Sequence, residues 1–314
     1  MSLPLLPVFA AWRQTLKAGY SFKALRGDLA AGLTVGIIAI PLAMALAIAV
    51  GVAPQYGLYT VLVAAPLIAL TGGSRFNVSG PTAAFVVILL PITQQFGLGG
   101  LLLCTMLAGL IMIAMGLGRA GRLIEFVPYP VTLGFTAGIG IVIATLQLKD
   151  LFGLSLSSQP LHYLEQVQVL LLALPSAHLG DALVAALSLA VLILWPRWVP
   201  KVPGHLAALA VGTVAGLALE ALGIPLATLG ERFSYSLDGV LHAGIPPFLP
   251  DFAWPWQLPA ANGQPLGLSF ELIRQLLAPA FAIAMLGAIE SLLCAVVADG
   301  MTGSKHDPNA ELVG

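Results

Sequence analysis

With 314 residues, 59% of them hydrophobic and only 9% charged, the chain has a mean hydropathy of +0.97, whereas about a quarter of the residues in a soluble domain are charged. Residues 29–74 and 76–118 contain no Asp, Glu, Lys or Arg, and about 20 apolar residues suffice to cross the hydrocarbon core of a bilayer. Composition therefore excludes a soluble enzyme, a nucleic-acid binder and a disulfide-stapled secreted domain, and specifies an all-α polytopic membrane protein; the formal net charge of -1 marks no partner.

In chain order, the opening MSLPLLPVFAAW has no basic residue ahead of its apolar run, so no cleaved leader is expected, and 1–28 reads as a cytoplasmic segment. Apolar segments follow near 29–50, 54–71, 80–94, 98–117, 127–147, 181–199, 205–222 and 275–298. Residues 160–173, with His162, Glu165 and Gln168 among leucines, suit a helix lying at the membrane interface. Between 223 and 274, Pro246, Pro247, Pro250, Pro255, Pro259 and Pro265 block a helix. Trp254 and Trp256 favour the headgroup zone, so this stretch is expected to be an extracytoplasmic loop. Residues 301–314 are expected to be a cytoplasmic tail.

Basic residues set the orientation. With eight crossings and a cytoplasmic N-terminus, the inner side receives Arg13, Lys17, Lys23, Arg26, Arg75, Arg119, Arg122, Arg197, Lys201 and Lys305. The outer side receives Lys149, Arg232 and Arg274. This balance requires the short segment 80–94 to cross; the membrane is expected to be the cell inner membrane.

That short segment is the first functional candidate. At 1.5 Å per residue its helix falls well short of a hydrocarbon core of about 30 Å. The preceding Ser74-Arg75-Phe76-Asn77-Val78-Ser79-Gly80-Pro81 must supply the remainder as extended chain. Proline is favoured in the first helical turn, so a helix is expected to start at Pro81, deep in the membrane. The N–H groups of Thr82, Ala83 and Ala84 would then lack intrahelical partners at the positive end of the helix dipole. Discontinuous helices of this kind hold anions in many transporters; a packed re-entrant turn is the alternative.

Glu290, within FAIAMLGAIESLLCAVVAD, is the one carboxylate placed well inside a span. Intramembrane acids are costly and are usually functional. Ala280, Ala284, Gly287, Ser291, Cys294 and Ala298 recur beside it at helical spacing, while Leu286, Leu293 and Val297 are expected to project away. Small residues permit close approach of a helix or ligand. Glu290, with Ser291 beside it, is expected to hold a coupling ion, either a proton or sodium; a structural carboxyl bonded to a neighbouring helix is the alternative.

Other features suggest packing. Gly134–Gly138 and Gly212–Gly216 have the spacing of close helix contacts, and Pro41 is expected to kink the first crossing. Cys104 and Cys294 lie in apolar segments as small core residues. His162, His178, His205, His242 and His306 lack metal-ligand spacing, so neither metal nor cofactor is expected.

The run AIPLAMALAIAVGVAPQYGLYTVLVAAPLIALTGGSRFNVSGPTAAF (39–85) resembles the opening of the SulP anion-transporter family. It has a proline in the first span, then Pro54-Gln55-Tyr56-Gly57-Leu58-Tyr59, then the Ser-Arg and Ser-Gly-Pro-Thr-Ala motifs. The likeness continues through GRLIEFVPYPVTLGFTAGIGI, WPR with PGHL, and AMLGAIESLLCAVVADGMTGSKH. Within the family it resembles a bacterial C4-dicarboxylate transporter.

The resemblance implies fourteen spans in two inverted seven-span repeats. Core-domain spans 1–4 and 8–11 would move against gate-domain spans 5–7 and 12–14. On this chain the first core spans cover 29–117, the gate spans 118–222, and span 8 covers 275–300. Carried over by position, substrate contacts fall on Thr82, Ala83, Ala84, Leu42 and Leu46, and the coupling acid on Glu290. The implied activity is secondary active transport of a C4-dicarboxylate coupled to protons, with sodium-coupled or exchange transport of bicarbonate, sulfate or chloride as the alternative. The implied partners are a small anion, a proton or sodium, the lipid bilayer and a second copy in a homodimer, and no nucleic acid. The chain ends at Glu311-Leu312-Val313-Gly314, where the family continues into span 9, so it is expected to be the first repeat plus one span. Residues 1–314 alone are not expected to transport; a non-transporting assembly module is the remaining reading.

Overall fold

The computed structural model describes residues 8–121, 129–156, 160, 163–199, 202–237 and 239–314. Arg122, His162 and Lys201, named above, lie outside the described residues, as do the first seven residues and the start of the 127–147 segment.

Because a bilayer offers backbone groups no water, long apolar segments must satisfy their amides internally, and they form helices. Helix α1 is Ala10–Ala18, α2 is Phe22–Ala49 and α3 is Pro54–Thr71. A 3₁₀ turn at Ala83–Phe85 leads into α4, Val86–Leu117, and α5 is Tyr129–Leu151. Then come α6, Tyr163–Ala173; α7, Leu179–Trp198; α8, Gly204–Ala221; and the single turn α9, Leu229–Arg232. Strands β1, Ser234–Leu237, and β2, Val240–Ala243, form an antiparallel hairpin in which Ser234 pairs with Ala243. The last helices are α10, Phe270–Thr302, and α11, Pro308–Val313. Six helices among the described residues are long and apolar enough to cross a membrane: those at 22–49, 54–71, 83–117, 179–198, 204–221 and 270–302. The architecture is all-α and polytopic apart from the small hairpin.

Pro41 does not end α2, which continues through it; one missing N–H is tolerable where the flanking turns are held. The stretch 223–274 is largely non-helical but carries α9, the β-hairpin, a 3₁₀ turn at Pro255–Gln257 and the first turn of α10. Within it, Trp254 and Trp256 stack with centroids 4.9 Å apart.

The chain divides into two units. One comprises Met1–Ala30, Leu42–Phe135 and Leu249–Gly314, and the other Ala31–Pro41 and Thr136–Phe248. In the first, α4 is a hairpin rather than one rod. Gly97 interrupts it at φ 70°, ψ -168°. Phe85, before this break, and Met112, well after it, both approach Gly287 of α10. The two arms therefore return alongside each other. Ile92, Leu103, Cys104 and Ala108 pack with Leu276, Ala280, Ile283 and Ala284 of α10.

The buried face of α10 runs through Leu276, Ala280, Ala284, Ala288, Leu292 and Ala295. Leu286, expected to project away, is also buried, whereas Cys294, expected in the core, is exposed. The buried face is therefore rotated from the one that small residues alone suggest: two arms of α4 cover α10 over a wider arc than one neighbour would.

Close approach also governs the α2–α3 contact in this unit. A Cβ on Gly57 would overlap the carbonyl carbon and oxygen of Ala43. Gly57→Ala is expected to cost about 1–3 kcal/mol, the usual range for overpacking, and to lower the thermal unfolding midpoint in detergent.

In the second unit, α7 packs on α8, where Gly212 lies against Ser188. Gly216 lies near Leu226, while a Cβ on Gly134 or Gly138 would meet no described atom within 4 Å. Asp181 of α7 accepts the Ala227 N–H at 3.1 Å, pinning the chain that follows α8. Arg232 of α9 pairs with Asp150 of α5 at 3.4 Å.

Candidate functional site

The chain beyond α3 is non-helical from Gly72 to Thr82. Thr82 has extended angles, φ -124° and ψ 137°, and its hydroxyl oxygen accepts the Ala84 N–H at 3.4 Å. Helical structure starts at Ala83, two residues after Pro81. The start is displaced because Thr82 acts as the N-cap, a role for which threonine is well suited and which requires non-helical angles at the capping residue. The expected third crossing is thus a non-helical segment with extended angles at Gly72 and Thr82, followed by a half-helix of about 20 Å. At its start, the first N–H groups have no carbonyl one turn earlier, and the helix dipole places partial positive charge there.

Glu290 of α10 meets this terminus. The Thr82 hydroxyl donates to Glu290 Oε1 at 2.6 Å. Glu290 Oε2 is buried without a hydrogen-bond partner, and no basic side chain forms an ion pair with Glu290 among the described residues. A carboxylate in this position has negative charge, one strong hydrogen bond and an unsatisfied oxygen. Such an oxygen is costly to bury unless a proton, a cation or another hydrogen-bond donor meets it.

The other expected site residues are less closely assembled. Ala83 and Ala84 form the first turn beside Thr82, with Ala84 buried. On α2, Leu46 is buried and Leu42 is exposed. Ser291 is turned from Glu290 toward the C-terminal segment, donating to Glu311 Oε1 at 3.1 Å. Successive helical residues differ by about 100° in direction, so neighbours in sequence serve different partners.

Glu311 is the residue that sequence reasoning does not single out. The segment expected to be a tail contains α11, with Ala310, Glu311 and Leu312 buried. Asp307 caps it by accepting the N–H groups of Asn309 and Ala310, at 3.0 and 3.1 Å. The signal in the sequence is Asp307-Pro308, an N-cap followed by proline at the first helical position.

Comparison with known proteins supplies the family. The family model described as the sulfate permease family matches residues 25–314. The chain is 40% identical to YvdB of Bacillus subtilis over 296 residues, covering 94% of this chain and 52% of that protein. It is 30% identical to the bicarbonate transporter BicA of Picosynechococcus over 305 residues, covering 93% of this chain and 49% of the relative. The transmembrane domain of a cyanobacterium bicarbonate transporter BicA has a similar solved structure, with TM-score 0.76, 28% identity, and coverage of 94% of this chain and 71% of that one. The chain spans about half the length of the curated relatives it matches. The match over 25–314, together with the multi-pass helical fold it shares with that solved structure, places the chain in the sulfate permease family.

Proposed function

We propose that this chain supplies one half of the substrate site of a secondary active anion transporter, with Glu290 as the binding group for a coupling proton. The carrying observation is the 2.6 Å hydrogen bond between Thr82, at the start of the half-helix, and Glu290. It joins the group suited to an anion to the group suited to a cation.

The coupling is electrostatic. An ionised Glu290 places negative charge beside the half-helix terminus and engages the Thr82 hydroxyl. Protonation removes that charge, and the acid O–H becomes a donor. An anion approaching the first turn at Ala83 then meets the positive end of the helix dipole without the opposing carboxylate. Each ion favours loading of the other, as symport requires; sodium at Glu290 would act with the same sign.

The cargo in this reading is a small oxyanion. Relatives include proteins named as bicarbonate transporters and a Bos taurus sodium-independent sulfate anion transporter, 32% identical over 308 residues, and peptide amides suit either cargo. A C4-dicarboxylate is the second reading, resting on the likeness of the sequence motifs to a transporter of such acids. The reading includes alternating access between a core domain and a gate domain. Its support is the assignment of α3, α4 and α10 to one unit and most of α5, with α6, α7 and α8, to the other. It also includes a cytoplasmic N-terminus in the inner membrane, a homodimer and no enzymatic reaction.

Competition decides the cargo. In proteoliposomes of the full-length protein, uptake of labelled bicarbonate is expected to be inhibited by sulfate more strongly than by succinate or fumarate. Stronger inhibition by the dicarboxylates would replace the first cargo reading with the second. Robust flux by residues 1–314 alone would contradict the half-site reading.

A further inference from the structure

The bond between Thr82 and Glu290 fixes one end of the non-helical segment that follows α3. A second carboxylate fixes its other end. Glu311 is buried, and its two oxygens receive four donors. Oε2 accepts the N–H groups of Gly73 and Ser74 at 2.9 and 2.8 Å. Oε1 accepts Asn77 Nδ2 at 2.8 Å and Ser291 Oγ at 3.1 Å.

We infer that Glu311 is a positioning residue of the transport site: it clamps residues 73–77 to α10 and so sets where Thr82 and the half-helix terminus stand against Glu290. This inference rests on the reading of Thr82 and Glu290 as that site. Ser291 follows Glu290 directly in α10, so the carboxylate that holds the start of the segment also holds the helix bearing the coupling acid. The segment between these tethers has no helical hydrogen bonds to fix its length or direction, and its end points are therefore set by side chains.

The chemistry favours an acid here over an amide. An ionised carboxylate only accepts, with about four lone-pair sites, which matches the four donors around Glu311. Glutamine would turn an NH₂ group toward at least one of them. The clamp itself is seated firmly. The Asp307 N–H donates to the Gly73 carbonyl at 3.4 Å, and Asn309 Oδ1 accepts the Gly121 N–H at 3.2 Å. A Cβ on Gly73 would collide with the backbone at Asp307 and Glu311, so the segment and α11 meet backbone to backbone.

Two measurements test the clamp. In the detergent-solubilised 314-residue chain, Glu311→Gln is expected to raise deuterium uptake through 78–82 about tenfold, with α7 and α8 unchanged. In proteoliposomes of the full-length protein, with labelled bicarbonate as probe and labelled sulfate as a second, it is expected to raise KM about tenfold while changing kcat by less than about threefold. Glu311→Asp is expected to fall between. Should Glu311→Gln fail to insert, Asn77→Ala removes one donor and keeps the acid, and an increase of about threefold in KM is expected. Unchanged exchange at 78–82, or a fall in kcat at constant KM, would reduce Glu311 to a structural brace and overturn the inference. Thr82→Val in the same assay reports on the site itself. An unchanged KM there, or no flux of either probe by the unaltered protein, defeats the site reading and with it the transport role of Glu311. A raised KM for Thr82→Val but not for Glu311→Gln or Asn77→Ala defeats the clamp alone.

Discussion

Replacing Glu290 by Gln is expected to remove the pH dependence of anion uptake by the full-length protein while leaving insertion and folding intact. Unaltered protein should take up anion faster as external pH falls, by at most about tenfold per pH unit, the limit for one titrating proton. The amide keeps the shape of the side chain, and its carbonyl can still accept the hydroxyl of Thr82, which lies 2.6 Å from the native carboxylate. It cannot exchange a proton, and it removes the negative charge permanently. The sign follows from this permanent neutrality: the variant resembles the proton-loaded carrier at every pH. Downhill exchange should continue, whereas accumulation driven by a proton gradient should be lost. Initial rates across a pH series, in vesicles with and without an imposed gradient, measure both. If Glu290→Gln retained the pH profile of the unaltered protein, the proton would have to bind elsewhere.

The second large effect is structural. Gly97→Ala is expected to destabilise the first unit by about 2–6 kcal/mol, adding backbone strain of about 1–3 kcal/mol to overpacking of similar size. Gly97 has φ 70° and ψ -168°, a combination that side-chain-bearing residues essentially avoid. A Cβ there would also overlap the backbone of Ala260 and Ala261. Nearby, the Gly99 N–H donates to the Pro259 carbonyl at 3.1 Å, so the turn between the two arms of α4 is closed by the loop ahead of α10. The variant should show a markedly lower unfolding midpoint in detergent or should not accumulate in the membrane. Gly109→Ala, by contrast, is a suitable control: a Cβ at Gly109 would meet no described atom within 4 Å, so the midpoint should stay nearly unchanged. A Gly97→Ala protein as stable as the unaltered one would mean that α4 does not turn here as described.

The membrane character and most helices are legible in the sequence because hydrophobic length is a local property. An apolar run without charge must satisfy its own amides, and the helix expected over 54–71 is α3, Pro54–Thr71. The break before the half-helix is legible for the same reason, since too few apolar residues are available to span the distance. Sequence puts its start at Pro81 rather than Ala83 because proline preference is local, whereas Thr82 is held in place by a partner 208 residues away. Glu290 stands out from its apolar surroundings alone. That its oxygen meets Thr82, and that Ser291 turns instead to Glu311, does not, because one sequence carries no signal for contacts between distant segments. Glu311 itself follows a polar stretch that reads equally well as a solvated tail. Its burial arises only when the backbone amides at Gly73 and Ser74 are brought to it. The sequence alone thus determined the solvent, the helices and which residues are too costly to bury without purpose. The tertiary structure decided which of them meet, since a hydrogen bond acts over about 3 Å and only folding brings segments this far apart in the chain to that distance.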